Sequence, residues 1–89
     1  MKLVKANDGR HKFIAIFENG KKTKFGAVGF DDYTLHHDKK RRQLYRIRHN
    51  RDLRTNDPTR AGFLSYYLLW NKETLEASLR DYKKRFGNL

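Results

Sequence analysis

Lys12-Phe13-Ile14-Ala15-Ile16-Phe17-Glu18-Asn19-Gly20-Lys21-Lys22-Thr23-Lys24-Phe25-Gly26-Ala27-Val28 is the stretch that decides the fold class. Lys12 to Glu18 is rich in aromatic and β-branched residues, as is Lys21 to Val28. Asn-Gly between two such runs is the strongest short hairpin signal, because both turn residues must take positive φ. A two-residue loop at Asn19-Gly20 sets Glu18 opposite Lys21, Ile16 opposite Thr23 and Ile14 opposite Phe25. On the other face Phe17 meets Lys22, Ala15 meets Lys24 and Phe13 meets Gly26. The first face is apolar; the second mixes aromatics with lysines. Phe13 and Phe17 beside Lys12, Lys22 and Lys24 suit two roles: stacking bases above a phosphate track, or packing under a helix while the lysines reach water. The second is the expected arrangement.

Leu3 to Ala6 extends the hairpin to a third strand, turning back through Asn7-Asp8-Gly9. Gly26 and Gly29 end the sheet, and Asp31, Asp32 and Thr34 are helix-cap candidates. A helix over about 34–49, its regular part starting nearer Asp38, puts Tyr33, His37, Lys40, Leu44 and Ile47 on one side. Lys39, Arg42, Arg46 and His49 then form a nearly all-cationic opposite side. Asn50 to Asn56 reads as a basic loop. Asp57-Pro58 reads as a helix start, Asp at the N-cap and Pro at the first helical position. That helix runs to about Trp70. It carries Ala61, Leu64 and Leu68 on one stripe and Phe63, Tyr66, Tyr67 and Trp70 on another, a pattern of burial on both sides. Asn71 is the expected cap of a last helix over about 72–86, with Leu75, Leu79, Tyr82 and Phe86 in a narrow arc and Gly87 as its stop. The fold class is α+β: an N-terminal antiparallel hairpin or three-stranded sheet packed against about three helices, in one domain over 1–89.

The chain has 89 residues and no cysteine. Disulfides, thiolate nucleophiles and Cys-ligated zinc are therefore excluded. No apolar run approaches the length of a membrane span, and no apolar stretch follows the charges of Met1 to Arg10, so no signal peptide is expected. With 37% hydrophobic residues the core is small, and six Phe, five Tyr and one Trp must supply much of it.

Charge points to the partner. Lys and Arg number 21 against 10 Asp and Glu, a net +11. On a surface of roughly 5,500 Å² this is one net positive charge per about 500 Å². The excess is concentrated in 39–60, where Lys39, Lys40, Arg41, Arg42, Arg46, Arg48, Arg51, Arg54 and Arg60 stand against Asp52 and Asp57. Arginine forks onto phosphate oxygens and stacks on bases. A merely solvated face alternates sign, whereas no acid occurs between Lys39 and Arg51. A polyanion is the natural partner. Residues 31–38 form the one acidic patch, with Asp31, Asp32 and Asp38.

No catalytic set, metal site or cofactor site is expected. His36 and His37 point about 100° apart on a helix and share an ion poorly. His37 is expected at the edge of the core. A metal-dependent nuclease at His49-Asn50 needs a second ligand that no motif supplies. The stripe Phe63, Tyr66, Tyr67 and Trp70 is covered either by the last helix or by a second copy of the chain, and the intramolecular solution is favoured.

Lys24-Phe25-Gly26-Ala27-Val28-Gly29, Asp32-Tyr33-Thr34, Asp57-Pro58-Thr59-Arg60-Ala61-Gly62, Leu64-Ser65 and Leu69-Trp70-Asn71-Lys72 resemble a family of small basic proteins of large nucleocytoplasmic DNA viruses. The resemblance spans about 12–86. It implies a viral protein of the cytoplasmic replication factory or the virion, with the host nucleus as a further location. It brings no assigned activity and no catalytic residues. The residues themselves lead to the functional expectation: sequence-tolerant binding of nucleic acid, DNA first, by the helix and loop of 39–60 together with Lys22 and Lys24. No base-reading motif is visible, and phosphate contacts alone supply such binding. The alternative is a protein-interaction module docking an acidic or apolar partner through the basic face and the aromatic helix.

Overall fold

A computed structural model describes every residue, Met1–Leu89. The chain turns at Asn19-Gly20 as expected, but the loop is one residue longer, Glu18-Asn19-Gly20. Phe17 N–H donates to the Lys21 carbonyl at 2.9 Å and Gly20 N–H to the Phe17 carbonyl at 3.0 Å. Gly20 alone in the loop takes positive φ, at 90°. A three-residue loop of this kind closes a tight turn and places its last residue in the left-handed region.

The extra residue shifts the register by one. Strands β2 (His11–Ile16) and β3 (Lys22–Ala27) pair Phe13 with Phe25, Ile14 with Lys24, Ala15 with Thr23 and Ile16 with Lys22. A slip of one residue exchanges the two faces of a strand. The expected apolar face of Ile14 and Ile16 therefore lies beside Lys22 and Lys24, away from the main core. Phe17 is instead 3% exposed and Phe25 1%. This corrects the expected pairing. It also removes Phe13 and Phe17 as base-stacking platforms: Phe17 is a core residue, and Phe13 packs against the core at 5.9 Å from Phe25. Strand β1 (Lys2–Lys5) adds antiparallel to β2, with Leu3 opposite Ala15, so the sheet order is β1-β2-β3.

Two helices follow the sheet. Asp32 caps α1 (Tyr33–His36), accepting from Thr34 N–H at 2.9 Å, and Asp38 caps α2 (Lys39–His49). His37 breaks the two apart in the left-handed conformation, φ 55°. It is exposed, and its neighbour His36 is the one packed inward, against Trp70. This corrects the expectation of a core-edge His37. The expected basic loop is a 3-10 turn, Asn50–Thr55.

Asp57 does not cap a helix at Pro58. Its carboxylate accepts from Thr59 N–H and Thr59 hydroxyl at 3.0 and 2.5 Å, closing a local turn. Helix α3 starts later, at Ala61, and runs to Leu64. It continues as a wider π segment, Ser65–Leu69, ending where Trp70 N–H donates to the Ser65 carbonyl at 3.2 Å. This segment lies on the sheet. Leu64, Leu68 and Leu69 share the core with Met1, Ala15, Phe17, Phe25 and Tyr82.

The last helix, α4, spans Leu75–Phe86, capped by Thr74 rather than Asn71. Asn71 is buried, and its amide donates to Asp81 at 2.6 Å. Tyr82 reaches through the core to donate to the Pro58 carbonyl at 2.7 Å, and burial pushes its pKa up to about 12. Phe86 stands edge-on to Phe63 and Tyr67, each at 5.1 Å. The aromatic stripe is thus covered within the chain by α4 and by α2. No helix is long and apolar enough to cross a membrane.

Candidate nucleic-acid interface

Helix α2 carries most of the expected contacts, so its orientation decides which cations are available. Asp38 starts it by accepting from Lys40 N–H at 3.0 Å and Arg41 N–H at 3.2 Å. From there the helix lies with Arg42, Tyr45, Arg46 and His49 against the molecule. Arg42 Nε donates to the Asn71 carbonyl at 2.6 Å, and its guanidinium lies 5.6 Å from the Tyr33 ring. Arg46 donates to the Trp70 carbonyl at 2.9 Å and sits over the Tyr66 ring at 4.0 Å. It also approaches the Tyr66 carbonyl at 3.4 Å. Burial holds its pKa below the usual arginine value. Tyr45 stacks on Trp70 at 4.2 Å with the rings 6° from parallel, and His49 stacks on Tyr45 at 4.1 Å. Burial pushes the Tyr45 hydroxyl up to about 12.

The expected faces of α2 are therefore exchanged. Of the cationic side Arg42, Arg46 and His49 pack inward while Lys39 stays exposed, and the supposed apolar side points to water: Leu44 is 52% exposed and Ile47 68%. The reason lies in what α2 packs against. The end of the π segment presents backbone carbonyls, which want donors, and tyrosine rings, which attract guanidinium. Leucine and isoleucine satisfy neither.

The remaining cations fall into two groups. Lys39, Lys40, Arg48, Arg51 and Arg54 are exposed and lie beyond 4 Å of any carboxylate. Arg41 is exposed and 3.8 Å from Asp31, Arg60 is 3.6 Å from Asp57, and Lys24 is 3.3 Å from Asp8. Lys22 is exposed on β3 with no such partner. Asp52, within the 3-10 turn, pairs with His49 at 3.1 Å rather than with Arg51 or Arg54. The turn packs closely on α3: a Cβ at Gly62 would stand 3.1 Å from the Asp52 side chain. Arg51 and Arg54 thus sit on a fixed turn.

Between α2 and the end of the β2–β3 hairpin lies an open cleft of about 710 Å³. Arg41, Leu44 and Arg48 line it from α2; Arg10, Lys24 and Phe25 line it from the sheet side; Tyr45, Leu69 and Trp70 also line it. Two of its residues escaped the sequence reading. Arg10 follows the Asn7-Asp8-Gly9 turn and lacked any charge run to mark it. Phe30, 71% exposed, follows Gly29, which the sequence marks only as the end of the sheet. Its glycine-rich approach, Gly26-Ala27-Val28-Gly29, was the available signal. The structure brings Arg41 and Arg48 to the same cleft as Lys24, while Arg54, Arg60 and Lys22 do not line it.

Comparison with known proteins gives one finding. No curated protein and no solved structure matches the chain. The model of a family of unknown function, DUF5754, matches residues 1–49, which hold the whole sheet, α1 and α2. The match covers more than half of the sequence, and the chain belongs to this family.

Proposed function

We propose that the protein binds nucleic acid through its phosphates, without reading base sequence, and that DNA is the natural form. One observation carries this reading. Lys39, Lys40, Arg48, Arg51 and Arg54 are exposed on one helix and the turn that follows it, without carboxylate partners. Uncompensated cations along one short helix and its following turn repel one another, and a polyanion relieves that repulsion while releasing its own counterions. Arg42 and Arg46 are left out of the phosphate set, since their guanidinium groups are engaged in the fold. Arg41, Arg60, Lys22 and Lys24 surround the set as further contacts. No catalytic step and no cofactor is part of the proposal. The resemblance to small basic proteins of large DNA viruses extends it to genome compaction or transcription, in the cytoplasmic factory or the virion.

Titration of duplex DNA across a series of salt concentrations tests this. About five phosphate contacts predict a slope of log K against log salt of roughly −4 to −5. A flat dependence removes nucleic acid as the ligand. The exposed Leu44 and Ile47 favour a second reading, docking of a protein with an acidic and apolar face. A partner retained on the protein after nuclease treatment supports that one.

A further inference from the structure

Phe30 is the most exposed large hydrophobic residue of the molecule, at 71%, yet its backbone is tied down on both sides. Lys12 Nζ donates to its carbonyl at 2.5 Å and to buried Asp32 at 2.7 Å. Phe30 N–H donates to the Ala27 carbonyl at 3.3 Å. The turn that leads to it is shaped by Gly26 and Gly29, with φ 75° and 89°. The part-buried Lys12–Asp32 pair thus anchors the backbone of a phenylalanine whose ring lies mostly in water, at a cost in hydration free energy that little packing offsets. It lines the mouth of the cleft, as does half-exposed Leu44 from α2.

From these observations we infer that the cleft takes a single-stranded segment of nucleic acid, one base stacked on Phe30 and the flanking phosphates held by Arg10, Lys24, Arg41 and Arg48. This rests on the nucleic-acid reading above and names the form of nucleic acid. The volume, about 710 Å³, falls within the roughly 300–1,000 Å³ of ligand pockets. Cations line it from α2 and from the sheet, and exposed Phe30 and Leu44 add apolar surface. That combination, a cationic groove with an aromatic platform, fits unpaired bases. A duplex offers it only phosphates, because its bases are already stacked on one another. Stacking accepts every base, consistent with the lack of a base-reading motif. Asp31 and Asp32 also line the cleft, and Asp32 is neutralised by Lys12. Arg41, 3.8 Å from Asp31, and Lys24, 3.3 Å from Asp8, exchange exposed carboxylate partners for phosphates, and Arg10 and Arg48 have none to give up. An acidic peptide would satisfy the cations and leave Phe30 without a ring to stack on.

The test compares oligodeoxythymidylate, oligouridylate and a DNA duplex of equal length at one salt concentration. The wild type, Phe30→Ala and Phe30→Tyr are compared throughout. The expected result is tighter binding of the single strands than of the duplex. Phe30→Ala then weakens single-strand binding about tenfold and leaves duplex binding unchanged, while Phe30→Tyr retains it. The two single strands separate DNA from RNA as the source. Trp70 is the sole tryptophan and lines the cleft, so its emission should change with the single strand and not with the duplex. Equal loss on single strand and duplex, or no loss on either, overturns the inference while salt-dependent duplex binding keeps the broader reading. Displacement of the single strand by polyglutamate at comparable concentration also overturns it. Failure to bind any nucleic acid removes both.

Discussion

Arg46 and Arg48 lie two positions apart on α2 and belong to different parts of the molecule. Arg46 is sandwiched between the helix and the π segment, over the Tyr66 ring and bonded to the Trp70 carbonyl. Arg48 stands in water at the wall of the cleft, with no carboxylate near it. The first charge is spent on neutral acceptors inside the fold; the second is free for an external anion. A net charge of +11 therefore overstates what a ligand meets. Arg42 belongs with Arg46, bonded to the Asn71 carbonyl. Lys40 and Arg51 belong with Arg48.

The largest expected effect follows from the inward member. Arg46→Met keeps length and helix propensity but removes the donor to Trp70 and the cation over Tyr66. Charge-assisted hydrogen bonds and cation–π contacts of this kind together imply a loss of about 2–4 kcal/mol. Urea denaturation of wild type and variant measures it. At a denaturant-free condition where the variant is folded, its nucleic-acid affinity should stay close to that of the wild type. A variant of unchanged stability with strongly reduced affinity would move Arg46 to the ligand side of the comparison.

The same helix marks where sequence stopped being informative. The N-terminal sheet was legible because Asn19-Gly20 and the flanking β-branched residues constrain local backbone directly. Its register was not, since a glycine with positive φ suits both a two-residue loop and the last position of a three-residue one, and only the Phe17–Lys21 pairing decides. For α2 the positions of the apolar residues were right to count and wrong to trust. Leu44 and Ile47 mark a stripe, but so do Arg42, Tyr45, Arg46 and His49. What chose between them was the surface opposite, a row of carbonyls and tyrosine rings supplied by Tyr66, Tyr67 and Trp70. That surface exists only after α3 has lain on the sheet and widened at Ser65, which no local pattern announces. The basic block itself was legible as a block, and its unpaired members on α2 and the 3-10 turn remain the candidate site.

The outward member gives an intermediate effect, on binding alone. Replacing Arg48 and Arg51 together by Gln removes two exposed charges without touching the core. The salt slope on duplex DNA should shrink by about two. Stability should stay within about 0.5 kcal/mol, as for surface changes away from packed features. If the slope is unchanged, the phosphates are held elsewhere, and Lys22 and the remaining hairpin lysines become the next set to remove.

The smallest expected effect is the most discriminating for the orientation of α2. Ile47 sits on the stripe that hydrophobic periodicity assigns to the core, together with Leu44. Were that assignment right, Ile47→Lys would bury an ammonium group or force the helix to roll, and the fold would lose several kcal/mol. In the structure Ile47 is 68% exposed, although it lines a shallow pocket together with Arg46 and Tyr66. Lysine there reaches water at once and has better helix propensity than isoleucine. The expected change is therefore within about 0.5 kcal/mol. Its sign depends on two small opposed terms, the gain in propensity against repulsion from Arg48 and Arg51. Raising the salt concentration screens the repulsion and should tilt the balance toward the variant. Urea midpoints for Ile47→Lys and wild type at low and high salt measure both. A loss of several kcal/mol that salt does not relieve would return Ile47 to the core and Arg46 to the solvent.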